Sequence, residues 1–168
     1  MNRLTWSAGV YGAVVLGCLG LACLEPLVAI AVLAAARLRL PQALALTAAV
    51  WLTGQAIGFG LRDYPVDVQT VGWGAGLGVM ALASLVTAAV VLPRLPQHWP
   101  TAFRVATAFV PAFVANQLTA LAVEFAVEGS CEIVPGVITA IGLINAGWLA
   151  ALLALDALAQ RRPAARAA

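Results

Sequence analysis

Lysine is absent from this chain, histidine occurs once, and charged residues of every kind make up only 10% of it. Each shortage removes a class of chemistry. All nine basic residues are arginine, so a retinal or pyridoxal Schiff base, or the lysine of a phosphate-binding loop, has no amine to use. His98 stands alone in the segment Pro96-Gln97-His98-Trp99-Pro100. One chain therefore cannot supply two axial histidines to an intramembrane haem, or a histidine-rich nickel or cobalt site. Cys18, Cys23 and Cys131 lack CxxC spacing, so neither a redox motif nor a zinc site is supported. The arginines are scattered over loops, which is no nucleic-acid signature. No nucleophile–base pair is visible, and His98 has no serine or cysteine partner nearby in sequence. A non-catalytic protein without cofactor, metal or nucleic-acid partner is expected.

What the chain has in abundance is apolar sequence. Of its 168 residues 63% are hydrophobic, and the mean hydropathy is +0.99. Soluble domains carry roughly 25% charged residues, so the composition specifies an integral membrane protein. A crossing helix needs about 20 apolar residues. Six spans fit, over residues 4–24, 26–40, 42–62, 70–92, 102–125 and 133–158, in one all-α membrane domain covering 1–168. Prolines punctuate them: eight fall at or beside span ends, where a missing N–H costs least, and only Pro111 lies inside. The first two spans carry alternatives. Residues 4–36 could form one long helix kinked at Glu25-Pro26, and 26–40 is short for a crossing. A cleaved leader is a third reading, with Val15-Leu16-Gly17-Cys18 a faint lipoprotein box.

The charges between spans set orientation. Arg3, Arg37, Arg39, Arg94, Arg104, Arg161, Arg162 and Arg166 fall at the N-terminus, the second and fourth gaps and the tail. Glu25, Asp63, Asp67, Glu124, Glu128 and Glu132 fall in the alternate gaps. The positive-inside rule then predicts six helices with both termini inside. A bacterial inner membrane is the expected location. Trp6 and Trp99 would lie at the inner interface and Tyr64 and Trp73 at the outer one, while Trp51 and Trp148 must pack or bond within the bundle. Asp156, near the inner end of span 6, reads as a snorkelling interfacial charge beside Arg161 and Arg162.

Small residues at four-residue spacing let helix backbones approach closely. Gly72/Gly76 and Gly74/Gly78 form two such pairs in span 4, and Gly54/Gly58 repeats the pattern in span 3. They serve either packing within the chain or a face for a partner subunit. Intramembrane amides are costly unless partnered, which singles out Gln55, Asn116, Gln117 and Asn145. Gln55 is followed seven residues later by Arg62, and Gln117 by Glu124. If spans 3 and 5 are neighbours, Arg62 could pair with Glu124 above a Gln55/Gln117 layer, with Tyr64 on the rim. These seven residues either line an outward-facing pocket or tie helices together. Cys23 and Cys131 fall on the outer side, where a disulfide between them is compatible with an oxidising compartment.

Two functions follow. The first is a small subunit that binds or transports a small polar solute from the outer side. In size and topology alone this resembles the substrate-binding S-components of energy-coupling-factor vitamin transporters. That resemblance implies partner proteins for energy, met by a small-residue face such as Ala31/Ala35 or the span 4 glycines. The second is a non-catalytic accessory or assembly subunit of a larger membrane complex. Lipid surrounds either one, with a membrane-protein partner or a second copy of the chain alongside.

Overall fold

The computed structural model describes residues 3–20, 26–128 and 134–161. Those residues form an all-helical bundle: α1 (Arg3–Gly20), α2 (Leu27–Arg37), α3 (Leu40–Leu61), α4 (Val68–Val91), α5 (Thr101–Glu128) and α6 (Pro135–Arg161). A 3-10 turn, Leu92–Arg94, extends α4. Helices α3 to α6 are each long and apolar enough to cross a bilayer. The chain is a multi-pass membrane protein. Helix α5 continues through Pro111.

The second helix departs most from expectation. Instead of a crossing over 26–40, α2 has 11 residues, a length of about 16 Å, or half the hydrocarbon core. From Leu27 to Ala34 no residue is more than 5% exposed. It packs against α3, α4, α5 and α6 together, whereas α1 packs on α3. A helix buried on every face must be apolar on every face, as Leu27-Val-Ala-Ile-Ala-Val-Leu-Ala is. Lipid tails are as apolar as these side chains, so what holds α2 in place is close packing rather than escape from water. Ala29, Ala31 and Ala34, all fully buried, let four neighbours come near. Ala31 is therefore unavailable as a face for another subunit. The surrounding helices turn Leu52, Val110, Leu118 and Leu143 outward, where lipid meets them.

The glycines of α4 have an internal role. A Cβ on Gly78 would come within 2.8 Å of the Trp51 ring, and one on Gly74 would overlap the Gln55 side chain. These two glycines face α3. A Cβ on Gly72 would meet Val127 at 3.0 Å, and one on Gly76 would overlap Val123, so this pair faces α5. One helix thus seats two neighbours on two glycine stripes, and α4 lies between α3 and α5. The Trp51 indole N–H donates to the Gly74 carbonyl (2.9 Å), the internal bond its mid-membrane position required. Trp148 packs against the core.

The end of the bundle that carries Arg37, Arg39, Arg94 and Arg104 is closed by a buried ionic group. Asp156 is only 6% exposed. It accepts from the Trp6 indole N–H (2.9 Å) and pairs with Arg37. This corrects two expectations. Asp156 does not snorkel to the interface, and Trp6 is buried rather than placed in an aromatic belt. A carboxylate this deep needs a charged partner, and the basic last turn of α2 supplies it. The contact brings the start of α1, the end of α2 and the end of α6 to one end of the molecule.

Candidate functional site

At the opposite end, a cavity of about 300 Å³ opens between the start of α2, the last turns of α3, the first turns of α4, and the facing sides of α5 and α6. Its rim is built by the exit from α3. The Arg62 N–H bonds the Ile57 carbonyl (3.1 Å) and the Tyr64 N–H bonds the Gly58 carbonyl (3.2 Å). Between them Asp63 takes the left-handed conformation (φ 51°), which aspartate tolerates better than most side chains. This turn folds the Tyr64 ring back over Gly58, where a Cβ would come within 2.8 Å of the ring. Gly58 is thus needed for the rim rather than for a helix–helix contact. Phe59 meets Tyr64 edge to face at 6.4 Å.

The start of α4 completes the rim. Asp67 caps it, its carboxylate accepting the Thr70 N–H at 2.7 Å. That bond holds the Asp67 carboxyl below the usual carboxylate range. The Trp73 ring lines the cavity, and its indole N–H donates to Glu128 (2.7 Å), which also accepts from Gln69 (3.2 Å). An aromatic wall is thereby fixed to the end of α5.

The floor is the start of α2. A helix beginning inside the bundle exposes backbone N–H groups that water cannot reach. Asn145, ten residues into α6 and so about 15 Å below its start, supplies the acceptor. Its Oδ1 takes the N–H of Val28 (3.2 Å) and of Ala29 (3.3 Å), and its Nδ2 donates to the Ile141 carbonyl (3.1 Å). The reverse amide orientation would set donors against donors, so the network fixes the assignment. Asn145 is a helix cap delivered from another helix. Sequence reasoning placed it in the membrane but missed this role. The available signal was Pro26 opening an apolar stretch too short to cross.

Asn116, 4% exposed, is also engaged. Its Nδ2 donates to the Met80 carbonyl and to Ser84 Oγ, both at 3.2 Å, and its Oδ1 accepts from Gln117 Nε2 at 3.2 Å. Ser84 in turn donates to Met80 (2.9 Å). This closed network ties α5 to α4. Gln55 differs from both. It lines the cavity with its side chain against Gly74, and its amide makes no hydrogen bond within the described chain.

Of the seven candidates, Gln55, Arg62, Tyr64, Asn116 and Asn145 line this cavity, as does Gly54. Gln117 and Glu124 do not, being half-buried on α5 outside it. Gln55 and Gln117 form no shared layer, because α4 rather than α5 is the neighbour of α3 there. Phe59, Trp73, Met80 and Ile141 are lining residues that polarity alone could not single out. Cys23 and Cys131, and hence the disulfide reading, lie outside the described residues. Among the described residues no cluster of histidine, cysteine or carboxylate could hold a metal. No protein family, curated protein or solved structure matches the chain.

Proposed function

We propose that this protein is a small solute-binding subunit of a bacterial inner membrane, with its site in the cavity between α2 and the Tyr64 rim. The observation that carries this reading is the Gln55 amide, which lines a cavity of about 300 Å³ without a hydrogen-bond partner among the described residues. An amide in an apolar bundle is stabilised by a partner, and a bound solute supplies one. Ligand sites are commonly apolar concavities with a few placed polar groups, and this volume falls at the small end of their range. The aromatic lining of Phe59, Tyr64 and Trp73 favours a compact solute with a flat or apolar body and one amide- or carbonyl-type group, rather than a wholly polar one. By the positive-inside rule the arginine-rich end faces the cytoplasm, which opens the site to the outer side. The chain has no lysine for a phosphate-binding loop, so uptake driven by ATP would need a partner subunit.

The accessory-subunit reading draws its support from Asn116 and Asn145, whose amides are bonded inside the bundle. The two readings separate in a binding experiment. Protein extracted gently from native membranes is denatured, and the released small molecules are identified by mass spectrometry. A solute retained near one per chain by the wild type and lost in Gln55→Leu, at unchanged thermal stability, supports the site. No retained solute, or equal retention in Gln55→Leu, leaves the cavity a packing feature of an accessory subunit.

A further inference from the structure

The arginine-rich end holds a second cavity, of about 310 Å³, bounded by Ala35 of α2, Leu92 of the 3-10 turn, Gln97 of the following loop, and Thr101 and Arg104 of α5. Arg104 donates from Nη2 to the Leu92 carbonyl (2.9 Å), while its Nε is buried without a partner. Arg104 is half-buried, its guanidinium stays charged at any physiological pH, and a charge partly shielded from water attracts a counter-charge. None of the described acids provides one. Asp63, Asp67, Glu124 and Glu128 belong to the far end of the bundle, and Asp156, the acid at this end, is engaged by Arg37 and Trp6. Gln97 holds the loop in place by donating to the Leu95 carbonyl (3.1 Å), and Thr101 brings a hydroxyl to the wall.

We infer that this cavity binds a phosphate-bearing anion, with Arg104 as its principal ligand. Arg104 lines the cavity, and its guanidinium keeps Nη hydrogens beyond the one given to Leu92 that can meet phosphate oxygens. The anion takes the place of a carboxylate that none of the described residues supplies. Basic pockets at this level of a membrane protein meet two sources of that chemistry, the phosphodiester of an anionic phospholipid and free phosphate. The inference is independent of the solute site at the other end.

Thermal unfolding of the full chain in a neutral detergent tests it, with phosphatidylglycerol, phosphatidylcholine, sodium phosphate or sodium chloride added at matched ionic strength. The midpoint should rise with phosphatidylglycerol or with phosphate, and not with phosphatidylcholine or chloride. A rise with the lipid alone identifies a headgroup site, and an equal rise with phosphate identifies a free-anion site. Arg104→Gln should abolish the rise, while Arg94→Gln, outside the cavity, should retain it. Should Arg104→Gln fail to fold, Arg104→Lys decides the matter. It keeps the charge but loses the planar set of Nη donors, so about tenfold more anion should be needed for the same rise. No anion-specific rise in the wild type, or the same concentration dependence in Arg104→Lys, overturns the inference.

Discussion

The floor of the outer cavity and the α3 wall beside it are lined by the same functional group, a side-chain amide, in two different conditions. At the floor, Asn145 caps a helix that starts inside the bundle, and Asn116 closes a network between α4 and α5. On the wall, Gln55 has no hydrogen-bond partner among the described residues. The difference teaches how to read polar residues in a membrane bundle. Depth alone marks both kinds, and only the hydrogen-bond partners separate an amide that holds the fold from one available to a ligand.

If that distinction is sound, substitutions on the closed side should cost stability and those on the open side should cost binding. The largest loss is expected at Asp156→Leu, which strands the Arg37 guanidinium. About 3 kcal/mol should disappear from reversible unfolding in mixed micelles. Asn145→Leu leaves the Val28 and Ala29 N–H groups without an acceptor and should cost about 2 kcal/mol in the same assay. A Gly76→Ala variant must displace Val123 on α5 and should cost about 1–2 kcal/mol. Gly74→Ala meets only the end of the flexible Gln55 side chain, so its stability should change by less than about 0.5 kcal/mol while solute retention falls. Gln55→Leu sharpens the contrast most: stability equal to wild type or slightly higher, with solute retention abolished. A stability loss at Gln55 as large as that at Asn145 would erase the distinction.

The smallest effect concerns pH. The folded Asp67 carboxyl lies below its unfolded value because it accepts the Thr70 N–H. Its contribution is therefore complete above the unfolded value and is lost as pH falls through the folded one. Protection from hydrogen exchange at the first turn of α4, taken relative to the intrinsic rate at each pH, should hold at neutral pH and fall only in acid. Asp67→Asn should remove most of that dependence.

Much of the fold was legible because proline and charge mark the ends of apolar runs. Spans 42–62, 70–92, 102–125 and 133–158 agree with α3 to α6 within a few residues at each end. Residues 26–40 were not legible as a buried half-helix, because an apolar helix surrounded by protein has the same composition as one surrounded by lipid. Asp156 misled for a related reason. Its partner Arg37 is 119 residues away, and nearby arginines in the sequence offered a simpler account. At the site, polarity correctly selected Gln55, Asn116 and Asn145 as residues facing the bundle interior. It could not say that α4 sits between α3 and α5, and that placement is what removes Gln117 and Glu124 from the cavity. The glycine pairs declared close contacts but not their partners, which only three-dimensional packing supplies.

The central claim is that the Gln55 cavity holds a solute, and the most direct measurement is an experimental structure of the protein extracted gently from its native membrane. The account predicts density for a compact molecule between Gln55 and Trp73, within hydrogen-bonding reach of the Gln55 amide, with Asn145 still capping α2. A cavity closed by side chains with Gln55 bonded to the bundle, or one filled by a lipid tail, would contradict it.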